Sequence, residues 1–117
     1  LLVDEPELTG RYVELDGYTV SFEVFHTDMD PAPLFRGLAD DRCQCPHWGV
    51  VVSGALRVRY ADHEETFTAG DAYYIRPGHL PHPAAGTEVV EFSPTEALRE
   101  SMAVVAANMT RPTAATS

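Results

Sequence analysis

The sequence predicts an all-β protein, an antiparallel sandwich or barrel followed by one C-terminal α-helix. Three observations carry this. Short β-prone runs recur between Gly, Pro and Asp punctuation from residue 11 to residue 92. No helical period separates those runs, so their strands lack crossover helices and pair antiparallel. After residue 92 the period changes. Ser93-Pro94-Thr95-Glu96 reads as a capping box with proline at the first helical position, and Leu98, Met102, Val105 and Met109 recur on one helix face.

The chain has 117 residues, enough for one domain with a moderate core and no disulfide staples. Its 18 acidic and 8 basic residues give a formal charge of -10. That sign repels phosphate backbones and anionic bilayers, so neither nucleic acid nor membrane is expected as a partner. No run approaches the roughly 18 apolar residues of a membrane span. No basic-then-apolar leader opens the sequence, and a cytoplasmic protein is expected. Cys43 and Cys45 on one strand face would place their Cα atoms roughly 6.5–7 Å apart, near the outer limit for a disulfide, so reduced thiols are expected.

Residues 1–10 are acidic, contain Pro6 and are expected as an irregular lead-in with room for a short edge strand. A short β run at 11–15 meets the hairpin signal Asp16-Gly17. Residues 18–27 then alternate: Tyr18, Val20, Phe22, Val24 and His26 share the face expected to be buried, with His26 a core or rim histidine. Residues 28–42 lack a regular pattern and hold two prolines and a glycine. This is a long loop for a small domain, and its Leu34, Phe35 and Leu38 suggest that it packs down over a pocket mouth. Further strands are expected at 43–53, 55–60, 65–68, 72–76, 79–83 and 88–92. The resulting organisation is a lead-in at 1–10, a barrel at 11–93, a helix at 94–110 and a flexible tail at 111–117.

The stretch Cys43-Gln44-Cys45-Pro46-His47-Trp48-Gly49-Val50-Val51-Val52-Ser53-Gly54 carries the chemistry. In a strand, the period of two puts Cys43, Cys45 and His47 on one face. Thiolates and imidazoles suit zinc, and soft sulfur donors disfavour magnesium or manganese. The same cysteines could instead serve as small buried hydrophobes. No Ser-His-Asp spacing, phosphate-binding glycine loop or dinucleotide fingerprint is present.

Residues 47–54, together with Gly70-Asp71-Ala72-Tyr73-Tyr74-Ile75-Arg76-Pro77-Gly78-His79-Leu80-Pro81-His82, resemble the two motifs of the cupins, small jelly-roll barrels. The likeness implies an antiparallel double-stranded β-helix. Aligned on Gly54, His47 stands at the family's glutamate, Cys43 at its second histidine and Asp41 at its first. In the second motif Arg76 replaces the first proline, the usual histidine position is Pro81, and His82 lies one residue later. The Cys-x-Cys-Pro-His-Trp pattern with Pro-Gly-His resembles a bacterial subgroup of small cupins, a likeness that supplies no activity.

The resemblance places Asp41, Cys43, Cys45 and His47 toward the interior, with His79 or His82 arriving from a neighbouring strand. These are the candidate ligands of a divalent metal, zinc first, with iron compatible because cupin scaffolds often carry it. Tyr60, Tyr74, Arg76 and Glu91 are candidate pocket groups beside Asp41 and His26. Three functions stay open: a metal-dependent enzyme on a small molecule, a metal-free sensor or accessory cupin that binds one, and a structural zinc. Small cupins commonly dimerise through sheet edges, and the helix offers an apolar face, so a homodimer is expected.

Overall fold

Asp16 and Gly17 take left-handed backbone, φ 53° and 83°, as a two-residue hairpin turn requires. They join β2 (Leu8–Leu15) to β3 (Tyr18–Phe25) with Leu15 opposite Tyr18. The computed structural model describes residues 1–28 and 30–110. Within them the other strands are β1 (Leu2–Asp4), β4 (His47–Ser53), β5 (Ala55–Arg59), β6 (Glu64–Thr68), β7 (Ala72–Ile75), β8 (Leu80–Pro83) and β9 (Thr87–Pro94), and α1 (Thr95–Thr110) follows. The expected tail at 111–117 lies outside the described residues. Among the described residues, no helix is long and apolar enough to cross a membrane.

The strands form two antiparallel sheets, one ordered β1-β2-β3-β9-β4-β7 and one ordered β6-β5-β8. Between them lie Val51, Leu56, Val58, Tyr60, Tyr73, Ile75 and Val89, with Phe25 and Phe67 packed on. A second cluster closes one end. It consists of Phe35, Cys43, Cys45 and Leu80, covered by Leu34, Leu38, Ala97, Leu98 and Val105. The long loop does pack down there, through two 3-10 turns, Ala32–Phe35 and Ala39–Asp41. Asn108 of α1 holds this loop by donating to the carbonyls of Leu34 at 2.7 Å and Arg36 at 2.9 Å.

Five sequence expectations need correction. Residues 1–10 are mostly strand, because β1 finds a partner in β2, with Val3 opposite Gly10. The strand at 43–53 starts only at His47. Cys43 makes a lone bridge to His79, and Pro46 has no N–H to give. Cys43, Cys45 and His47 are nonetheless all buried, but only Cys43 and His47 of the three join the candidate ligand group.

The capping box does not form. Pro94 still pairs with Tyr18 in the sheet, α1 starts at Thr95, and the Ser93 hydroxyl is buried and used elsewhere. The helix stripe is displaced as well. Leu98, Ser101, Val105 and Asn108 face the protein, whereas Met102 and Met109 are exposed.

The fifth correction is the largest. On β3 Tyr18, Val20 and Phe22 face out, while Thr19, Ser21 and Glu23 face in beside Phe25: Thr19 and Ser21 are buried, and Tyr18 and Phe22 are 44% and 38% exposed. Register extends this across the six-stranded sheet. Val13, Val20, Phe92, Trp48 and Tyr74 form one outward row. Tyr12, Ser21, Glu91, Gly49 and Tyr73 form the adjoining inward row. The polar row is inward because its groups bond to one another inside the barrel.

Candidate metal centre

Cys43, His47 and His79 each offer one ligand atom, and these atoms lie within 4.8 Å of one another. All three residues are buried. The bridge between Cys43 and His79 brings the two motifs together: the Cys43 N–H donates to the His79 carbonyl at 2.9 Å, and the Gly78 N–H donates back to the Cys43 carbonyl at 2.8 Å. Gly78 takes φ 93°, a left-handed value that explains the glycine at this turn. His47 enters from the start of β4.

Each imidazole is oriented through Nδ1. His79 Nδ1 lies 2.8 Å from the Arg76 carbonyl, which can only accept, so the proton sits on Nδ1 and Nε2 keeps its lone pair. His47 Nδ1 lies 2.7 Å from Ser93 Oγ and 3.3 Å from Glu91 Oε2, and its Nε2 faces Cys43 Sγ at 3.8 Å. Metal-binding histidines are held in this way by an outer partner on the second nitrogen. Burial lowers both imidazoles to about 4, so both are neutral at physiological pH. With His47 neutral, its 3.3 Å approach to Glu91 is a polar contact rather than an ion pair, and the hydrogen bond at Nδ1 is the one to Ser93. Burial also raises the Cys43 thiol above its ordinary value.

These residues fit a zinc-type ion. Neighbouring sulfur and nitrogen donors on a tetrahedral zinc stand about 3.6 Å apart, close to the separation of Cys43 Sγ and His47 Nε2. Among the described residues, no fourth His, Cys, Asp or Glu joins the group. Ser101 of α1 comes within 3.8 Å of Cys43 Sγ, so α1 covers this side.

The other sequence candidates are placed elsewhere. Cys45 is buried next door, its sulfur 3.4 Å from the Pro46 carbonyl, and burial pushes its thiol up to about 12. His82 sits on β8 opposite Arg57, outside the group, with its Nε2 buried and unpartnered. Asp41 is exposed at φ 53° and accepts the Gly37 N–H at 3.0 Å. His26 is exposed and bonds Thr9 Oγ1 at 2.7 Å. Tyr74 lies on the outer sheet face, its ring 5.0 Å from that of Trp48. Tyr60 belongs to the core and accepts the Arg76 N–H at 3.2 Å, while the Arg76 guanidinium lies over its ring at 4.6 Å. Glu91 alone of these pocket candidates reaches the centre.

Sequence reasoning missed the groups around Glu91. Tyr73 donates to Glu91 Oε1 at 2.7 Å, and Tyr12 donates to Glu23 Oε2 at 2.7 Å. Ser21 opposes Glu91 on the neighbouring strand, so Glu23 and Glu91 are diagonal neighbours on the inner face. Burial raises both carboxyls well above the usual range, and for Glu23 the charge of Glu91 adds to this. Tyr12–Glu23 and Tyr73–Glu91 thus form a chain of polar neighbours in the barrel interior that ends 3.3 Å from His47 Nδ1. The available signal was a glutamate on the polar side of an alternating strand, which in an ordinary sheet marks solvent.

Gly49 makes room for this chain. A Cβ there would stand 2.6 Å from the Tyr73 hydroxyl and would also strike the Val90 carbonyl. Gly49→Ala is expected to destabilise the fold by about 2 kcal/mol. Denaturant unfolding measures it, and an unchanged midpoint would show that the strands yield freely.

No family model matches the chain, and no curated protein matches it. Solved structures do. KdgF from Halomonas sp. is 17% identical, covering 80% of this chain and 84% of that one with a TM-score of 0.52. An RmlC-like cupin from Shewanella frigidimarina is 16% identical, covering 80% and 83% with a TM-score of 0.53. A variant of oxalate decarboxylase from Bacillus subtilis is 15% identical with a TM-score of 0.56, this chain spanning 27% of its length. The two antiparallel sheets with a C-terminal helix share the jelly-roll fold of these structures. At these identities the likeness carries the fold, and the site has to be read from its own residues.

Proposed function

We propose that this cupin-fold protein binds one divalent metal ion, zinc in preference to iron, through Cys43, His47 and His79. In this reading it holds or transforms a small molecule at that ion. The observation that supports it is the pair of imidazoles whose Nδ1 atoms are engaged and whose Nε2 atoms remain available beside one thiol. With three protein donors, a bound zinc retains an open position at which it can polarise a substrate oxygen or activate water. Glu91, reaching His47 Nδ1, and Tyr73, donating to Glu91, fix that imidazole and provide a route for a proton. The protein is proposed to act in the cytoplasm, where its thiols stay reduced, and as a homodimer.

A structural metal is the second reading, favoured by the depth of the donors, which are 1–7% exposed. Metal analysis of protein purified without a histidine tag tests both. The expected result is one equivalent per chain, removable by chelator with the strand signal in circular dichroism retained. Unfolding on chelation would assign the metal to structure. Metal-free protein from zinc-supplemented and iron-supplemented expression would sink both readings and favour a metal-free ligand-binding cupin.

A further inference from the structure

The outward face of the six-stranded sheet is the least explained surface of the molecule. Tyr18, Phe22, Trp48, Tyr74 and Phe92 are 38–48% exposed on it, beside Val13 at 51% and Leu15 at 55%. Two shallow concavities open on the same face. One, of about 430 Å³, is lined by Leu2, Val13, Val20, Phe22 and Val90 together with Arg11, Tyr12 and Ser21, and one, of about 330 Å³, by Tyr18, Trp48 and Phe92. A face with both projecting rings and apolar hollows can complement a copy of itself.

Area and charge point to the same occupant. The exposed apolar side chains of this face amount to roughly 700 Å², close to the ~800 Å² that each partner contributes to a standard interface. The chain carries a formal charge of -10, so two copies repel unless they meet over an uncharged surface. The row Val13, Val20, Phe92, Trp48, Tyr74 contains no charge, and the neighbouring row adds only the cation Arg11 opposite Phe22, so the middle of the face brings no acidic group to the contact. The same net charge disfavours an anionic bilayer on this face.

We infer that two copies of this chain pack these sheet faces against each other about a two-fold axis, as aligned sheets of a sandwich do. This rests on the proposed homodimer and is independent of the metal. It replaces the sheet edges and the helix as the contact. The apolar stripe of α1 is already spent on the loop cluster through Leu98 and Val105.

Trp48 is the single tryptophan of the chain and lies in the face, so the wild-type protein reports on it without substitution. Sedimentation is expected to give twice the 12.8 kDa of one chain at micromolar concentration. On dilution, Trp48 emission should shift red and its acrylamide quenching rise in step with dissociation. Phe92→Lys and Val13→Lys should each sediment as folded monomers, while Met102→Lys on the exposed side of α1 should remain dimeric. A monomer at 100 µM would overturn the homodimer, and with phosphatidylcholine vesicles bound it would assign the face to lipid. A dimer that persists in both sheet-face variants, or in which Trp48 stays fully quenchable, would overturn the face and leave the homodimer standing.

Discussion

Cys43→Ser is expected to weaken zinc binding by at least about 100-fold, because serine offers no thiolate and zinc prefers sulfur to a neutral hydroxyl. Ser93→Ala should cost about 10-fold, since it removes the partner 2.7 Å from His47 Nδ1 without touching a donor atom. The pH dependence separates the roles. His47 and His79 are neutral above about pH 4, so only the raised Cys43 thiol has a proton to lose when metal enters. Wild-type affinity should therefore rise about tenfold per pH unit between roughly pH 5 and 8, with one proton released per metal. In Cys43→Ser that slope should vanish. Competition titrations with a zinc indicator at several pH values measure both effects, and an unchanged slope in the serine variant would remove Cys43 from the centre.

Glu23→Gln is expected to stabilise the protein, by an amount that grows with pH. The Glu23 carboxyl is raised from 4.5 to about 7 in the folded chain. Between those values the unfolded chain has lost a proton that the folded chain still holds. Stability from this group is full below pH 4.5 and falls as pH rises toward 7. Glutamine keeps an acceptor for the Tyr12 hydroxyl and carries no charge, so the variant avoids that loss. The difference should grow from near zero at pH 4.5 to about 3 kcal/mol at pH 7.

The wild-type profile alone would hide this. His47 and His79, lowered from 6.5 to about 4, contribute stability that increases as pH rises through the same interval. Glu91, raised like Glu23, adds a second falling slope, so the two carboxyls nearly cancel the two imidazoles, and the variant minus wild-type difference isolates the Glu23 carboxyl. Urea unfolding at pH 4.5, 6 and 7.5 measures it. A flat difference would mean that Glu23 is ionised inside the barrel.

Alternation and turn chemistry made most of the architecture legible. The Asp16-Gly17 hairpin, the strands around Val51, Val58 and Val89, and the buried alternation of Cys43, Cys45 and His47 stand where the sequence puts them. A period of two names two faces of a strand but does not say what covers either one. Tyr18, Val20 and Phe22 were read as the core side because apolar residues usually are. Here the barrel interior is lined by Ser21, Glu23, Glu91 and Ser93, whose polar groups answer one another, and the apolar side looks outward. That inversion is a matter of tertiary pairing and leaves no local trace. The capping box failed for a related reason: sheet pairing held Ser93 and Pro94 in β9, and the serine hydroxyl was drawn to His47.

The site was half legible. Cys43 and His47 lie within one stretch, so their spacing alone brings them together. The choice between His79 and His82 depended on the bridge from Cys43 to His79, a contact between residues 36 positions apart that sits just before β8 begins. Asp41 was carried inward by motif alignment, yet the chain turns away there with left-handed φ at both Asp40 and Asp41.

X-ray absorption at the zinc edge, on protein loaded with one equivalent, tests the central claim most directly. The Cys43–His47–His79 centre should give one sulfur and two imidazole nitrogens with one lighter, exchangeable ligand, and the sulfur signal should be lost in Cys43→Ser. A shell without sulfur, or one with two sulfurs that recruits Cys45, would contradict it.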